Sequence, residues 1–328
     1  MKALVYTGPE AMELQDVDTP EAREETLVAV RFCGICGSDM HAFLGHDERR
    51  PPPLTLGHEA VGTLRDGRQV VINPLVTCMD CEACRLGRDN LCPNRQIISM
   101  PPRQGAFGEF ITVPERNLLM LPPGLSPEKA ALTEPLACGW HAARLAIRHS
   151  ESALDLMRGS RRPLILGGGA IGLASALALV AHGVPSAIIS EPNRARWDVI
   201  AAAGPFEPVL PEKTAELSPD LVVDAYGGGR SRAQASAVVA PGGVVVHVGL
   251  ADNDPGLDTR RATLQEVTFV GAYTYTAAEF ADTLDALAGG YFGPLDWTEV
   301  RPLEDGPAAF ADLRAGRVSS AKIILAIS

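Results

Sequence analysis

An apolar run, Pro163-Leu164-Ile165-Leu166, feeds straight into Gly167-Gly168-Gly169-Ala170-Ile171-Gly172, and a helix-like run follows from Leu173 to Ala181. Glycine-rich turns are common, and the glycines alone would say little. Strand, Gly167-x-Gly169-x-x-Gly172 and helix in this order are far more restrictive. Gly167 permits the tight turn, and Gly169 lets a pyrophosphate approach the backbone around Ala170 and Ile171. Gly172 lets the helix pack closely on the strand, with its N-terminus facing the phosphates. A second apolar run, Ala187 to Ser190, ends at Glu191, about 20 residues further on, as the dinucleotide fingerprint requires. A carboxylate there can accept hydrogen bonds from an adenosine ribose and would repel a 2′-phosphate, so the motif points to NAD. The alternative is a surface acid after a strand. Arg194 and Arg196 stand close behind Glu191, and Arg196 joins the candidate cofactor contacts.

The same rhythm continues downstream. Leu221-Val222-Val223-Asp224, Val244 to Val248 and Val267 to Val270 read as buried strands, with a helical pattern from Ala233 to Ala240 between them. Such alternation implies a doubly wound parallel sheet. A helix from Ala277 to Ala288 stops at Gly289-Gly290, and Val318 to Ile327 is strand-like without any nucleotide motif. At 328 residues the chain exceeds one ordinary hydrophobic core, so two domains are expected. The net charge of −11 argues against a nucleic-acid partner, which needs a basic surface. No stretch reaches the roughly 20 apolar residues that a bilayer span needs, so no membrane partner is expected. The N-terminal Met1 to Tyr6 meets Gly8-Pro9 too early for a secretory h-region and reads as a first strand. A cytoplasmic location is the expectation.

Seven cysteines, an odd number in a chain read as unexported, disfavour a disulfide framework. Four cluster as Cys78-x2-Cys81-x2-Cys84-x7-Cys92, close enough for one loop to fold four thiolates around Zn2+. An iron–sulfur cluster is the chemical rival. Four unrelated buried cysteines would be the bland alternative. With every position taken by a thiolate, none is open to water, and the site reads as structural. Arg85 and Arg88 either offset its negative charge or are solvated.

A second constellation lies upstream, where Cys33-Gly34-Ile35-Cys36-Gly37-Ser38-Asp39-Met40-His41 precedes Gly57-His58-Glu59. Alone, Cys33-x2-Cys36 could be a redox pair, His58 a core histidine and Glu134, in Glu134-Pro135-Leu136-Ala137, a helix cap or exposed acid. Together they offer a thiolate, an imidazole and a carboxylate, a set that can hold a catalytic zinc with a position left open.

The order of these motifs resembles the zinc-containing medium-chain dehydrogenase/reductases, the superfamily of alcohol, sorbitol and threonine dehydrogenases. The resemblance runs through the four-cysteine loop, Cys-Gly-Ser-Asp-x-His, Gly-His-Glu, Glu-Pro-Leu-Ala and the glycine turn, and so covers nearly the whole chain. It implies a GroES-like β-barrel catalytic domain, residues 1–139 plus 291–328, carrying two zinc ions. A Rossmann NAD-binding domain would occupy residues 140–290, with the active site in the cleft between them. Carried over residue by residue, Cys36, His58 and Glu59 resemble the catalytic zinc ligands, while Glu134 either binds directly or holds the zinc-bound water. Ser38 resembles the hydroxyl that meets the substrate oxygen, and His41 the outer end of a proton relay. Phe107 resembles an aromatic wall of the substrate pocket, with a plain core residue as the alternative. The implied reaction is hydride transfer from a small secondary alcohol, a polyol or sugar alcohol, to NAD+. Threonine-like or butanediol-type substrates rank second, and a homo-oligomer, dimer or tetramer, is expected.

Two departures stand out. The segment from Gly62 to Val70 is short where the family usually has a longer hairpin, and Arg148 to Arg162 lacks the usual Pro-Gly-Asp lead. Neither removes a ligand. The competing class is a zinc-stabilised NAD-binding sensor without catalysis, which loss of Cys36, His58, Ser38 or the glycine turn would have favoured. Zinc-free quinone or enoyl reductases lack both metal sets.

Overall fold

The computed structural model describes residues 1–150 and 161–328, so most of the second departure, at 148–162, lies outside the described residues. Two compact units emerge. The first comprises residues 1–134, 276–289 and 298–328, and the second residues 135–275 and 290–297. The helix Ala277–Ala288 thus groups with the first unit, where the sequence reading placed it with the second.

The first unit is mainly antiparallel β. Strands β1 (Lys2–Gly8), β2 (Ala11–Asp16) and β4 (Leu54–Thr55) form one small sheet in the order β2-β1-β4. A seven-stranded sheet is built on the path β10-β6-β5-β3-β18-β17, with β9 also paired to β3. Its members are β3 (Thr26–Gly34), β5 (Glu59–Thr63), β6 (Gln69–Ile72), β9 (Phe110–Val113), β10 (Leu118–Met120), β17 (Thr298–Pro302) and β18 (Lys322–Ala326). Two short strands, β7 (Leu75–Val76) and β8 (Gln96–Ile97), pair with each other. The C-terminal strand lies antiparallel against β3, so residues from opposite ends of the chain share one ladder. Apolar side chains from these strands, among them Leu4, Tyr6, Val28, Val30 and Leu325, close on Phe43, Phe107 and Phe310 in one core. Each such fully buried side chain contributes about 1.5–3 kcal/mol.

The short 62–70 segment is a tight hairpin. Leu64 N–H donates to Arg68 O, and Gly67, at φ +89°, makes the left-handed turn that lets Thr63 face Gln69.

In the second unit, β11 (Leu164–Leu166), β12 (Ala187–Ser190), β13 (Phe206–Val209), β14 (Leu221–Asp224), β15 (Val244–His247) and β16 (Thr268–Gly271) form a parallel sheet. Their order is β13-β12-β11-β14-β15-β16. Strand β11 has β12 on one side and β14 on the other, so the strand order reverses beside it. A crevice outside the carboxyl ends at such a point is where an open α/β sheet takes its ligand. The apolar runs are continuous rather than alternating because parallel strands are covered on both faces. The helix expected over Ala233–Ala240 starts earlier, at Gly229, and ends at Val238. Ser231 sets that start by accepting the Gly228 N–H through its hydroxyl.

Candidate active site and metal centres

Helix α1 (Gly37–Phe43) starts at Cys36, whose N–H is accepted by Asp39 Oδ2 at 2.9 Å. That back-reaching acid satisfies one of the free amides of the first turn. The other oxygen of Asp39 accepts the Gly57 N–H at 3.2 Å and lies 3.6 Å from His58 Nδ1. Asp39 thereby ties the Cys36 turn to the Gly57-His58 turn. Burial works against its charge, but His58, Arg50 and the Cys36 N–H hold its carboxyl below the usual range. Phe107 is fully buried, edge-on to Phe310, and its ring lies where a Cβ at Gly57 would stand. Its place is therefore that of the core alternative, seating the turn that carries His58.

Ligand atoms of Cys36, His58 and Glu59 all lie within 4.8 Å of one another. His58 Nδ1 is also 3.3 Å from the hydroxyl of Ser99, which sits at φ +69°. Burial disfavours an imidazolium at His58, yet Asp39 and Cys36 lift its pKa well above the ordinary value, so an incoming cation displaces a proton there. Glu59 is fully buried. Its Oε1 accepts from Lys322 Nζ at 2.6 Å, and its Oε2 has no hydrogen-bond partner. A buried carboxylate oxygen left without a donor is costly, and a divalent cation would satisfy it. A thiolate, an imidazole and a carboxylate within 4.8 Å therefore fit Zn2+ with a position left for another ligand. Glu134, buried in the first turn of the helix Thr133–His149, is outside that triad, though its charge reaches Lys322.

Ser38 and His41 lie on α1, half-buried, at the i, i+3 spacing that puts both on one face. Arg50 is buried and donates to Ser99 O at 2.9 Å, to Asp47 Oδ2 at 2.7 Å and to Ser38 O at 3.4 Å. Burial and the neighbouring charges of His46, Arg50 and Arg49 lower the His41 pKa, against an opposing pull from Asp47.

The four-cysteine loop is equally compact. Sulfur–sulfur separations are 3.4 Å for Cys81–Cys84, 3.5 Å for Cys92–Cys78 and 4.0 Å for Cys78–Cys84. Four thiolates about 2.3 Å from a tetrahedral Zn2+ stand about 3.8 Å apart. N–H groups of Asp80 and Cys81 lower Cys78 to about 6, whereas burial and the neighbouring thiols push Cys84 up to about 12. The like charges of metal-free thiolates cannot all be held together, and a dication suits the donor set. Asp89, inside the loop, accepts the N–H of Ala277 at the start of the Ala277–Ala288 helix.

In the second unit, Gly167 has φ +101°, a value open to glycine but not to most residues. A Cβ on Gly172 would overlap Gly167 O, so helix Ala170–Ala181 could not start so close to β11 with a larger residue there. Gly169, by contrast, has nothing within 4 Å of its missing Cβ. That open face beside a helix N-terminus fits a pyrophosphate. Glu191 follows β12, and its Oε2 accepts the Gly168 N–H at 2.9 Å while Oε1 accepts the Asn193 N–H at 2.7 Å. These bonds fix the carboxylate beside the glycine turn. Arg196 lies 3.9 Å from Glu191, and Arg194 is drawn over the Trp197 ring instead.

The residues that sequence reasoning missed are Asp39, Ser99, Arg50 and Lys322. Lys322 did leave a signal, as a lone charge in the apolar run Val318 to Ile327. Lysine is almost never fully buried without a partner.

Comparison with known proteins adds the following. Residues 22–123 match the family described as alcohol dehydrogenase GroES-like domain, and residues 170–289 match zinc-binding dehydrogenase. A probable D-xylulose reductase A from Aspergillus clavatus is 29% identical, over 96% of this chain and 94% of its own. The L-galactonate-5-dehydrogenase of Escherichia coli is 28% identical, over 88% of each chain. Among solved structures, an E. coli oxidoreductase/dehydrogenase of unknown specificity superposes with a TM-score of 0.88 at 25% identity, covering 100% of this chain and 99% of that one. A putative zinc-binding dehydrogenase from Sinorhizobium meliloti, bound to NADP, gives 0.85 at 25% identity, over 99% and 98%. No helix among the described residues is long and apolar enough to cross a membrane.

Proposed function

Since the chain belongs to the zinc-containing medium-chain dehydrogenase/reductase superfamily and is a zinc- and NAD(P)-linked oxidoreductase, we propose that it oxidises a small polyol or sugar alcohol at a secondary carbon, with NAD+ as acceptor. Cys36, His58 and Glu59 hold the catalytic zinc, and Cys78, Cys81, Cys84 and Cys92 hold a structural one. The observation that carries this reading is the buried, unpartnered Oε2 of Glu59 beside a thiolate and an imidazole. When bound, the zinc acidifies a substrate hydroxyl and the nicotinamide accepts hydride.

The protein's own groups do the positioning and the proton handling. Asp39 fixes the two turns that carry Cys36 and His58. The Ser38 hydroxyl holds the substrate oxygen and passes its proton outward along a relay through the nicotinamide ribose whose outer end is His41, which burial keeps neutral. Glu191 takes the adenosine ribose, with Arg196 beside it, and the amides at Gly169, Ala170 and Ile171 take the pyrophosphate. Glu134 adds an acid near the centre that a second substrate hydroxyl can use. The names of the relatives, a xylulose reductase and a galactonate dehydrogenase, support a polyhydroxy substrate.

The test is a panel of polyols, sugar acids, amino alcohols and simple alcohols assayed for NAD+ reduction. Polyols should give the highest kcat/KM. Ethanol or benzyl alcohol at the top would overturn the substrate class.

A further inference from the structure

Glu59 and Lys322 stand on strands β5 and β18, which flank β3 on either side. Residue 34 of β3 is paired with Glu59 on one side and with Ile324 on the other. The two side chains must therefore cross a whole strand to meet. They do so over Gly34, because a Cβ there would overlap Glu59 Oε2. The bare Cα of Gly34 is the gap through which the carboxylate passes. Lys322 is itself buried and gives a second N–H to Ile35 O at 2.8 Å. Its ammonium is thus fixed between a backbone carbonyl and one oxygen of Glu59, with no solvent to screen it.

We propose that Lys322 is a positioning residue for the catalytic metal: it engages Oε1 of Glu59, leaves only Oε2 for the zinc, and makes the centre one charge more positive. The proposal rests on the assignment of Glu59 as a zinc ligand. With Cys36 and Glu59 as the anionic ligands, a dication gives a neutral set, and Lys322 raises it to +1. Two consequences follow from Coulomb's law in a buried site. The metal is held less tightly than the ligand set alone would hold it. The substrate oxygen is also more readily deprotonated, because the net field at the metal is more positive. Lys322 therefore exchanges metal affinity for turnover.

The experiment follows Co2+ and Zn2+ binding by chelator competition in the full chain, after removal of the more weakly held metal. Lys322→Gln keeps a donor for the Ile35 carbonyl but loses the charge. It should bind metal at this centre at least tenfold more tightly than wild type while kcat falls at least tenfold. Damage to the site by misfolding would lower both. Lys322→Arg keeps the charge and should stay within about threefold of wild type in affinity. In a Glu59→Gln background, adding Lys322→Gln should again tighten metal binding, because the ammonium acts on the dication through space, and this pair decides the matter if the single neutral variant does not fold. Equal or weaker metal binding by Lys322→Gln would overturn the proposal, as would the absence of an affinity gain from Lys322→Gln in the Glu59→Gln background. A wild-type chain with metal at this centre, but an affinity unmoved by Glu59→Gln, would instead overturn the assignment of Glu59, and this proposal with it.

Discussion

His41 sits one turn along α1 from Ser38, and burial lowers its pKa below the ordinary value of about 6.5. It is therefore neutral at pH 7 and able to take a proton. The sign for stability is the same as for a carboxylate held below its usual pKa by a partner. Because the unfolded chain protonates first, this contribution is complete above about pH 6.5 and is lost as pH falls through the lower folded value. For catalysis, His41→Gln should slow turnover most at low pH, where proton release is hardest, and recover partly as pH rises. Ser38→Ala should be more damaging at every pH, because it also removes the contact to the substrate oxygen. Steady-state kcat across pH 6–9 for both variants, a range taken around the ordinary histidine value, checks this; a His41→Gln profile parallel to wild type would remove His41 from the relay. Glu191 carries a second prediction. Its carboxylate, fixed by the Gly168 and Asn193 amides, should give NAD+ at least a tenfold advantage over NADP+ in kcat/KM. Glu191→Ala should shrink that ratio, with Arg196 then free to meet a phosphate. Equal efficiency with NADP+ in the wild type would contradict the role given to Glu191.

Among the elements, the four-cysteine loop is the one whose folding the proposed structural zinc would govern. Cys81→Ser should release one zinc and lower Tm, because structural zinc binding and folding are coupled, and metal analysis beside thermal unfolding measures both. Asp89→Ala should cost about 1 kcal/mol, the usual worth of an acid at a helix N-terminus, since it frees the first amide of Ala277–Ala288. Sequence reasoning read five of the six strands of the parallel sheet and missed the edge strand Phe206–Val209. Ala187–Ser190 and Leu221–Asp224 fall where the apolar runs put them, because strands covered on both faces have no polar alternation to obscure them. The two-residue strands Leu54–Thr55, Leu75–Val76 and Gln96–Ile97 escaped, being too short to show any period. The two clusters able to hold a metal were legible because their thiols and imidazole stand in short, spaced motifs. Lys322 was not, since its partner Glu59 is 263 residues away and only the pairing of β18 with β3 brings them together.

At the scale of the molecule, the two proposed metal centres would divide the labour. One is closed by four thiolates; the other has three mixed ligands, one of them a carboxylate with a single unengaged oxygen. The chain should therefore hold two zinc ions of unequal strength, and only the weaker should govern activity. Titration of zinc into chelator-treated protein, with NAD+ reduction on the best polyol as the readout, tests this most directly. The account predicts that chain retaining one zinc is folded and inactive, and that activity returns in proportion to the second equivalent. Full activity in metal-free chain, or no NAD+ reduction with any polyol once two zinc ions are bound, would contradict it.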